Sequence, residues 1–335
     1  MRLTRRARLA MTWAAVMAAA VAAPHVAAAV QQGPPPPPTA ASGQPVRLVA
    51  SGLPVPSQIA VAYGRVFIAT PGDEETGKGG GVYAVWRGRV TRIERGPAIG
   101  LVYRAGTLYA SSFNKIVAFG DFEHGRFTTR RVVFSRPAAE LPFLETMALG
   151  PDGRLYVGTS DAGDTGPIGA PLAGRVLAIS ADGSQVEELA KGLRQPFGIG
   201  FVAGDPVPYV ANESDESTPT PGDFIVHAVT GSDYGFPGGC QWHDPAAAAC
   251  AGKTPPTVLL PPHSSPTGMV GRGDALYVAF FGGTTKAGPE IRALRPGSTS
   301  RRLVSSPLPL VGVGWSGGHL YFGDVGGSVY RVRVP

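Results

Sequence analysis

The chain has 335 residues, of which 16% are charged, and 47 glycines and 33 prolines make up about a quarter of it. The usual share of those two residues is roughly 12%, so this much turn chemistry excludes a helical bundle, while 43% apolar content excludes wholesale disorder. The formal charge of +6 is mostly Arg2, Arg5, Arg6 and Arg8; the remainder carries 26 basic against 24 acidic residues, too even a balance to point to nucleic acid.

Residues 1–30 read as an export signal. A basic MRLTRRAR segment precedes an Ala-rich apolar stretch from Leu9 to Ala23, and Val26–Ala29 ends in small residues suited to signal peptidase. The stretch is shorter than the roughly twenty residues that cross a bilayer, so no membrane span is expected once it is removed. Thr4-Arg5-Arg6 is a weak twin-arginine pattern, and the Sec and Tat routes both stay open. The destination is periplasmic or extracellular. Residues 31–45 follow as a Pro-rich tether, with Pro34–Pro38 consecutive; proline lacks the N–H that strand ladders need and favours an extended form.

From residue 46 to 335 the chain repeats one phrase: a turn glycine or aspartate, then an aliphatic–aromatic–aliphatic strand. It occurs around Phe67, Tyr109, Tyr156, Tyr209, Tyr277 and Tyr321, each time flanked by further short strand patterns. Alternating short strands, glycine turns and no helical period predict antiparallel sheet. Six units at 40–50 residues predict an all-β fold, a six-bladed propeller of four-stranded blades. The 68 residues from Tyr209 to Tyr277 leave room for an insertion at about Asp233–Pro262, expected at a blade end where binding sites form. It holds Cys240 and Cys250, which an exported protein is expected to pair as a disulfide.

In a propeller the segments leading into the innermost strands converge on one mouth of the central channel. They bring Gln58, Glu145, Arg194, Gln195 and His263, and the neighbouring loops add Asp161, Asp164, Asn212, Glu213, Asp215 and Glu216. The sequence has no nucleophile elbow, no His-Glu-x-x-His and no phosphate loop or dinucleotide fingerprint on a strand–helix turn.

The stretches GLRQPFGIGF, YVANESDES, GDFIVHAVTGSDYGFPGGC and PPHSSPTGM, with LGPDGRLYVGTSDAGD before them, resemble the glucose/sorbosone dehydrogenase family over about Leu141–Leu294. That resemblance implies an exported propeller that uses pyrroloquinoline quinone (PQQ) and Ca2+ to oxidise a sugar, passing electrons to an acceptor. Arg194 matches the family's cofactor-binding arginine, and a guanidinium suits the quinone's carboxylates. Gln195 stands where the family has an amide, and Lys286 where an ammonium approaches the quinone oxygens. Ser214 and Asp215 match the calcium segment. The family's basic histidine falls at Pro142 or Phe143 here, neither of which accepts a proton. His263 and Glu145 are the replacement candidates, a buried glutamate being tunable towards neutral pKa. The other readings are a propeller that binds a sugar, peptide or cofactor without turnover, and a hydrolytic propeller with a channel calcium.

Overall fold

The computed structural model describes residues 35–72, 77–161, 169–215, 222–244, 247–285 and 288–334. The segment expected to be an export signal, Asp164, Glu216 and Lys286 lie outside them. Six sheets form a ring, with no α-helix among the described residues. Blade 1 comprises Gln58–Ala62, Arg65–Thr70, Gly81–Trp86 and Arg89–Arg95; blade 2 comprises Leu101–Arg104, Thr107–Ser112, Lys115–Glu123 and Arg126–Ser135. Blade 3 comprises Phe143–Leu149, Leu155–Ser160, Arg175–Ile179 and Val186–Lys191; blade 4 comprises Gln195–Gly200, Tyr209–Glu213, Phe224–His227 and the short Val258–Leu259. Blade 5 comprises Pro266–Arg272, Ala275–Phe280, Glu290–Leu294 and Arg301–Ser305.

Blade 6 supplies three strands from the carboxyl end of the chain, Leu310–Ser316, His319–Asp324 and Val329–Arg333, and takes its outermost strand from Arg47–Ala50. Leu48 pairs with Tyr330 in that antiparallel seam, so the ring is closed by hydrogen bonds between the two ends of the domain. Thr39–Ala40, within the Pro-rich tether, adds a short edge strand to blade 5 against Val304 and Ser305.

The repeated phrase is the second strand of every blade. Its aromatic residue is buried at all six positions, and each falls in a different hydrophobic cluster, one cluster per interface between neighbouring blades. Successive side chains of a strand point to opposite faces, so the residues beside each aromatic pack against the other neighbour. In blade 1, Phe67 faces blade 2, whereas Val66 and Ile68 face blade 6. Strands covered on both faces read as near-continuous apolar runs, which is what the phrase is. Two-residue hairpins join several first and second strands; Tyr63 and Gly64 both have positive φ, 51° and 65°, as a type I′ turn requires.

The insertion leaves blade 4 after His227, at the end of the ring opposite the candidate mouth, and climbs the outer edge between blades 3 and 4. Ser232–Asp233 pairs in parallel with Ala190–Lys191 as a fifth strand of blade 3. The segment then reaches the mouth, where the Phe236 N–H donates to the Gly192 carbonyl at 3.0 Å. Cys240 and Cys250 are joined in a disulfide, and Lys253 makes a 2.9 Å ion pair with Asp233 at the base of the loop. Titration of the unfolded, unreduced protein should find no reactive thiol. The double change Cys240→Ser/Cys250→Ser should lower stability by up to about 3 kcal/mol, the loop-closure entropy of so short a ring, checked by denaturant melting.

Candidate functional site

The first strands of all six blades line the channel, whose lower part is a cavity of 260 Å3 walled by Val61, Met147, Ile199, Met269, Val313 and Trp315 among others. The rim above it is polar. In blades 3 to 6 the first strand carries a bulge at its rim end, between Leu144 and Met147, Gln195 and Gly198, Pro266 and Gly268, and Leu310 and Val313. A bulge re-aims side chains and frees backbone groups, which here bond from blade to blade. Ser57 Oγ donates to the Ile99 carbonyl at 2.8 Å, Ser111 Oγ to the Glu145 carbonyl at 2.8 Å, and Thr267 Oγ1 to the Leu310 carbonyl at 2.8 Å. Thr146 Oγ1 bonds the Phe197 carbonyl, and the Gly312 N–H donates to Pro56 at 3.1 Å. Gly100 makes the closest of these approaches possible: a Cβ there would sit 2.5 Å from Ser111 Oγ and 2.8 Å from the Glu145 carbonyl oxygen.

Gln58, one of the sequence candidates, belongs to this stitching. Its Oε1 accepts from the Leu101 N–H at 2.7 Å and the Met147 N–H at 2.9 Å, while its Nε2 donates to the Met147 carbonyl at 2.6 Å. One buried amide thus joins blades 1, 2 and 3. Gln58→Leu leaves those backbone groups unpaired and should cost about 1–3 kcal/mol in thermal or denaturant unfolding.

Glu145 lies within the blade 3 bulge and is 2% exposed. Its Oε1 accepts the Ser160 hydroxyl; its Oε2 is buried with no hydrogen-bond partner among the described residues. No cation among the described residues pairs with it. Burial pushes the carboxyl up to about 7, against the weaker opposing pull of the Ser160 hydrogen bond. Pro142 and Phe143, immediately upstream, are buried too, and Phe143 meets Phe113 edge to face at 5.3 Å.

Blade 4 contributes Arg194 and Gln195, each 2% exposed. Both of their backbone N–H groups donate to Asn212 Oδ1, at 2.8 and 3.1 Å, so a single side chain on the second strand fixes the approach to the first. The Arg194 guanidinium lies 5.5 Å from the centre of the Phe236 ring, which the insertion delivers.

Asp223, fully buried, joins blade 4 to blade 5: its Oδ1 accepts the Ser214 N–H at 2.9 Å, and its Oδ2 accepts the Ser264 hydroxyl at 3.1 Å and the Ser265 N–H at 2.8 Å. Ser214 Oγ donates to the Gly222 carbonyl at 2.6 Å. Asp215 continues this segment. His263 is exposed on the adjoining turn with φ of 57°. Among the described residues no group of three or more His, Cys, Asp or Glu is disposed to hold a metal.

The structure therefore brings Glu145, Arg194, Gln195, Asn212, Asp223, Ser214 and His263 to one rim spanning blades 3 to 5. Sequence reasoning missed the anchoring roles of Ser160, Asp223 and Phe236. All three lie within quoted motifs, but only the fold shows which residue each one faces.

No family model matches the chain, and no curated protein matches it. Solved structures do. A calcium-containing structure of the AA12 carbohydrate-active enzyme of Trichoderma reesei aligns with a TM-score of 0.72 at 19% identity, over 90% of this chain and 98% of that one. The holo form of the PQQ domain of pyranose dehydrogenase from Coprinopsis cinerea aligns with a TM-score of 0.68 at 16% identity, over 90% and 98%. The apo soluble aldose sugar dehydrogenase of Escherichia coli aligns with a TM-score of 0.64 at 15% identity, over 86% and 98%. The likeness is one of fold: this chain shares its propeller architecture with these structures.

Proposed function

We propose that this protein is an exported, PQQ-dependent sugar dehydrogenase in which Glu145 replaces histidine as the proton acceptor. The observation that carries the reading is the Glu145 carboxyl, sealed at the channel rim, held near neutral pKa and keeping one oxygen without a partner. A base poised close to the working pH is the most effective proton acceptor for a sugar hydroxyl.

The donor set fits a carboxylate-bearing quinone. Arg194 is a buried guanidinium on a fixed backbone, able to take a carboxylate through two parallel N–H bonds, and Gln195 beside it adds an amide. For calcium, the Ser214–Asp215 segment offers main-chain oxygens, since the Ser214 N–H and hydroxyl are committed to Asp223 and Gly222. Calcium takes six to eight oxygens, so the remainder would come from the cofactor and solvent. When bound, PQQ supplies two-electron acceptance. The chain's own part is to orient the cofactor through Arg194, exclude water at the Glu145–Ser160 pair, and take the substrate hydroxyl proton at Glu145 Oε2. His263, on its exposed turn, stands at the lip, where it would meet the sugar or a docking electron acceptor.

The burial of Pro142 and Phe143, neither of which can accept a proton, favours one other reading, a propeller that binds a sugar, peptide or cofactor without turnover. The mature protein is incubated with PQQ and Ca2+, and aldose-dependent reduction of an artificial acceptor is followed. Reduction that saturates with sugar supports the dehydrogenase. Tight PQQ binding without reduction establishes the binding module, and no binding overturns both the quinone assignment and the role of Arg194.

A further inference from the structure

The seam that closes the ring carries a second, separate feature at the end of the molecule opposite the rim. A groove of 590 Å3 is lined by Arg47, Arg331, Arg333 and His319, with Gln44 and the glycines of the Gly317–Gly318 turn, and no acidic residue borders it. The sheet register explains the crowding of cations. Arg47 sits directly opposite Arg331 across the seam, and His319 directly opposite Arg333. Arg331 and Arg333 are two residues apart on one strand, so they share a face. None of the three arginines forms an ion pair among the described residues, and His319 Nδ1 is 3.0 Å from the Gly317 carbonyl oxygen.

Like charges placed opposite one another weaken a sheet. Here they do so at the pairing on which ring closure depends, and a bound anion would offset the repulsion more fully than solvent and salt do. Three bidentate guanidinium forks call for six oxygens, more than the four of inorganic phosphate and within the seven of two linked phosphoryl groups. We infer that this groove binds a diphosphate-type anion that bridges the amino-terminal and carboxyl-terminal strands of blade 6. Because the ligand contacts both strands only when they are paired, it stabilises the closed ring by mass action. The inference is independent of the chemistry proposed at the rim.

The probe is sodium pyrophosphate, compared with inorganic phosphate and with sodium chloride at matched ionic strength. In calorimetric titration the unmodified protein should bind pyrophosphate at least tenfold more tightly than phosphate, and its melting temperature should rise with pyrophosphate beyond the chloride control. Arg331→Gln and Arg47→Gln should each weaken pyrophosphate binding about tenfold or more. The same variants should melt no lower than the unmodified protein in chloride alone, because each removes a repulsion rather than a contact. Equal melting increments in the variants and the unmodified protein, equal affinities for phosphate and pyrophosphate, or no binding above chloride would each overturn the inference.

Discussion

Glu145→Gln should reduce sugar oxidation by about 10²–10⁴-fold, the range expected when a general base is removed, while PQQ affinity stays unchanged. Glutamine keeps the shape and can still accept the Ser160 hydroxyl, so the loss reports the missing proton acceptor and not a collapsed rim. In the unmodified protein kcat/KM should rise with pH through a midpoint near 7, because only the ionised carboxylate takes the proton.

The same substitution should also act on stability, with a sign set by linkage. The carboxyl titrates near its ordinary value of 4.5 in the unfolded chain and at about 7 in the native one. Between those values the native state holds a proton that the unfolded state has lost, so stability falls as pH rises from 4.5 to 7 and then levels off. The full effect is about 3 kcal/mol, since each pKa unit is worth about 1.4 kcal/mol. Glu145→Gln should therefore match the unmodified protein at pH 4 and exceed it in denaturant melts at pH 8. A variant that is less stable at pH 8 would show that the carboxyl is held by partners and is not the strained, desolvated group described above.

Arg194→Lys should weaken PQQ binding at least tenfold and leave the melting temperature nearly unmoved. Two parallel N–H bonds to a carboxylate are worth on the order of 1.5–3 kcal/mol, and a lysine ammonium cannot reproduce that fork. The backbone of residue 194 is fixed by Asn212 through its own N–H, which the substitution leaves in place. Titration calorimetry and a melting curve on both proteins separate binding from structure. A fall in melting temperature with unchanged PQQ affinity would assign Arg194 to the scaffold instead.

The blades were legible because each second strand is buried on both faces, and double burial writes an unbroken apolar phrase with one aromatic into the sequence. Phe67, Tyr109 and their four counterparts mark six interfaces as surely as they mark six strands. The seam was not legible: RLVA at residues 47–50 resembles any short strand, and its partner is set by the ring's geometry rather than by its neighbours in sequence. The insertion was detected by length, but its path was hidden, because the parallel pairing of Ser232–Asp233 leaves no periodic trace. At the rim, residue type pointed to Glu145 and Arg194 through the chemistry they can perform. Gln58 has the same polar appearance, yet its amide is consumed by three backbone groups that only the bulged, closed arrangement brings within reach.

The pairing of Leu48 with Tyr330 also dictates an order of events during biogenesis. The strand made almost first must wait, unpaired, until the strand made almost last has been synthesised and delivered. The entropic cost of so long a closure grows only slowly with chain length, so it is tolerable at equilibrium, but such a distant contact forms late. Until the two pair, blade 6 is a three-stranded sheet with an open edge, and the chain presents a template for pairing with a second molecule. A polypeptide threaded outward unfolded would meet that hazard after translocation, whereas one exported already folded would have passed it inside the cell. The lifetime of the unclosed species, measured by pulse-labelling of a cysteine placed at Leu48, is therefore a quantity on which the export route itself would be selected.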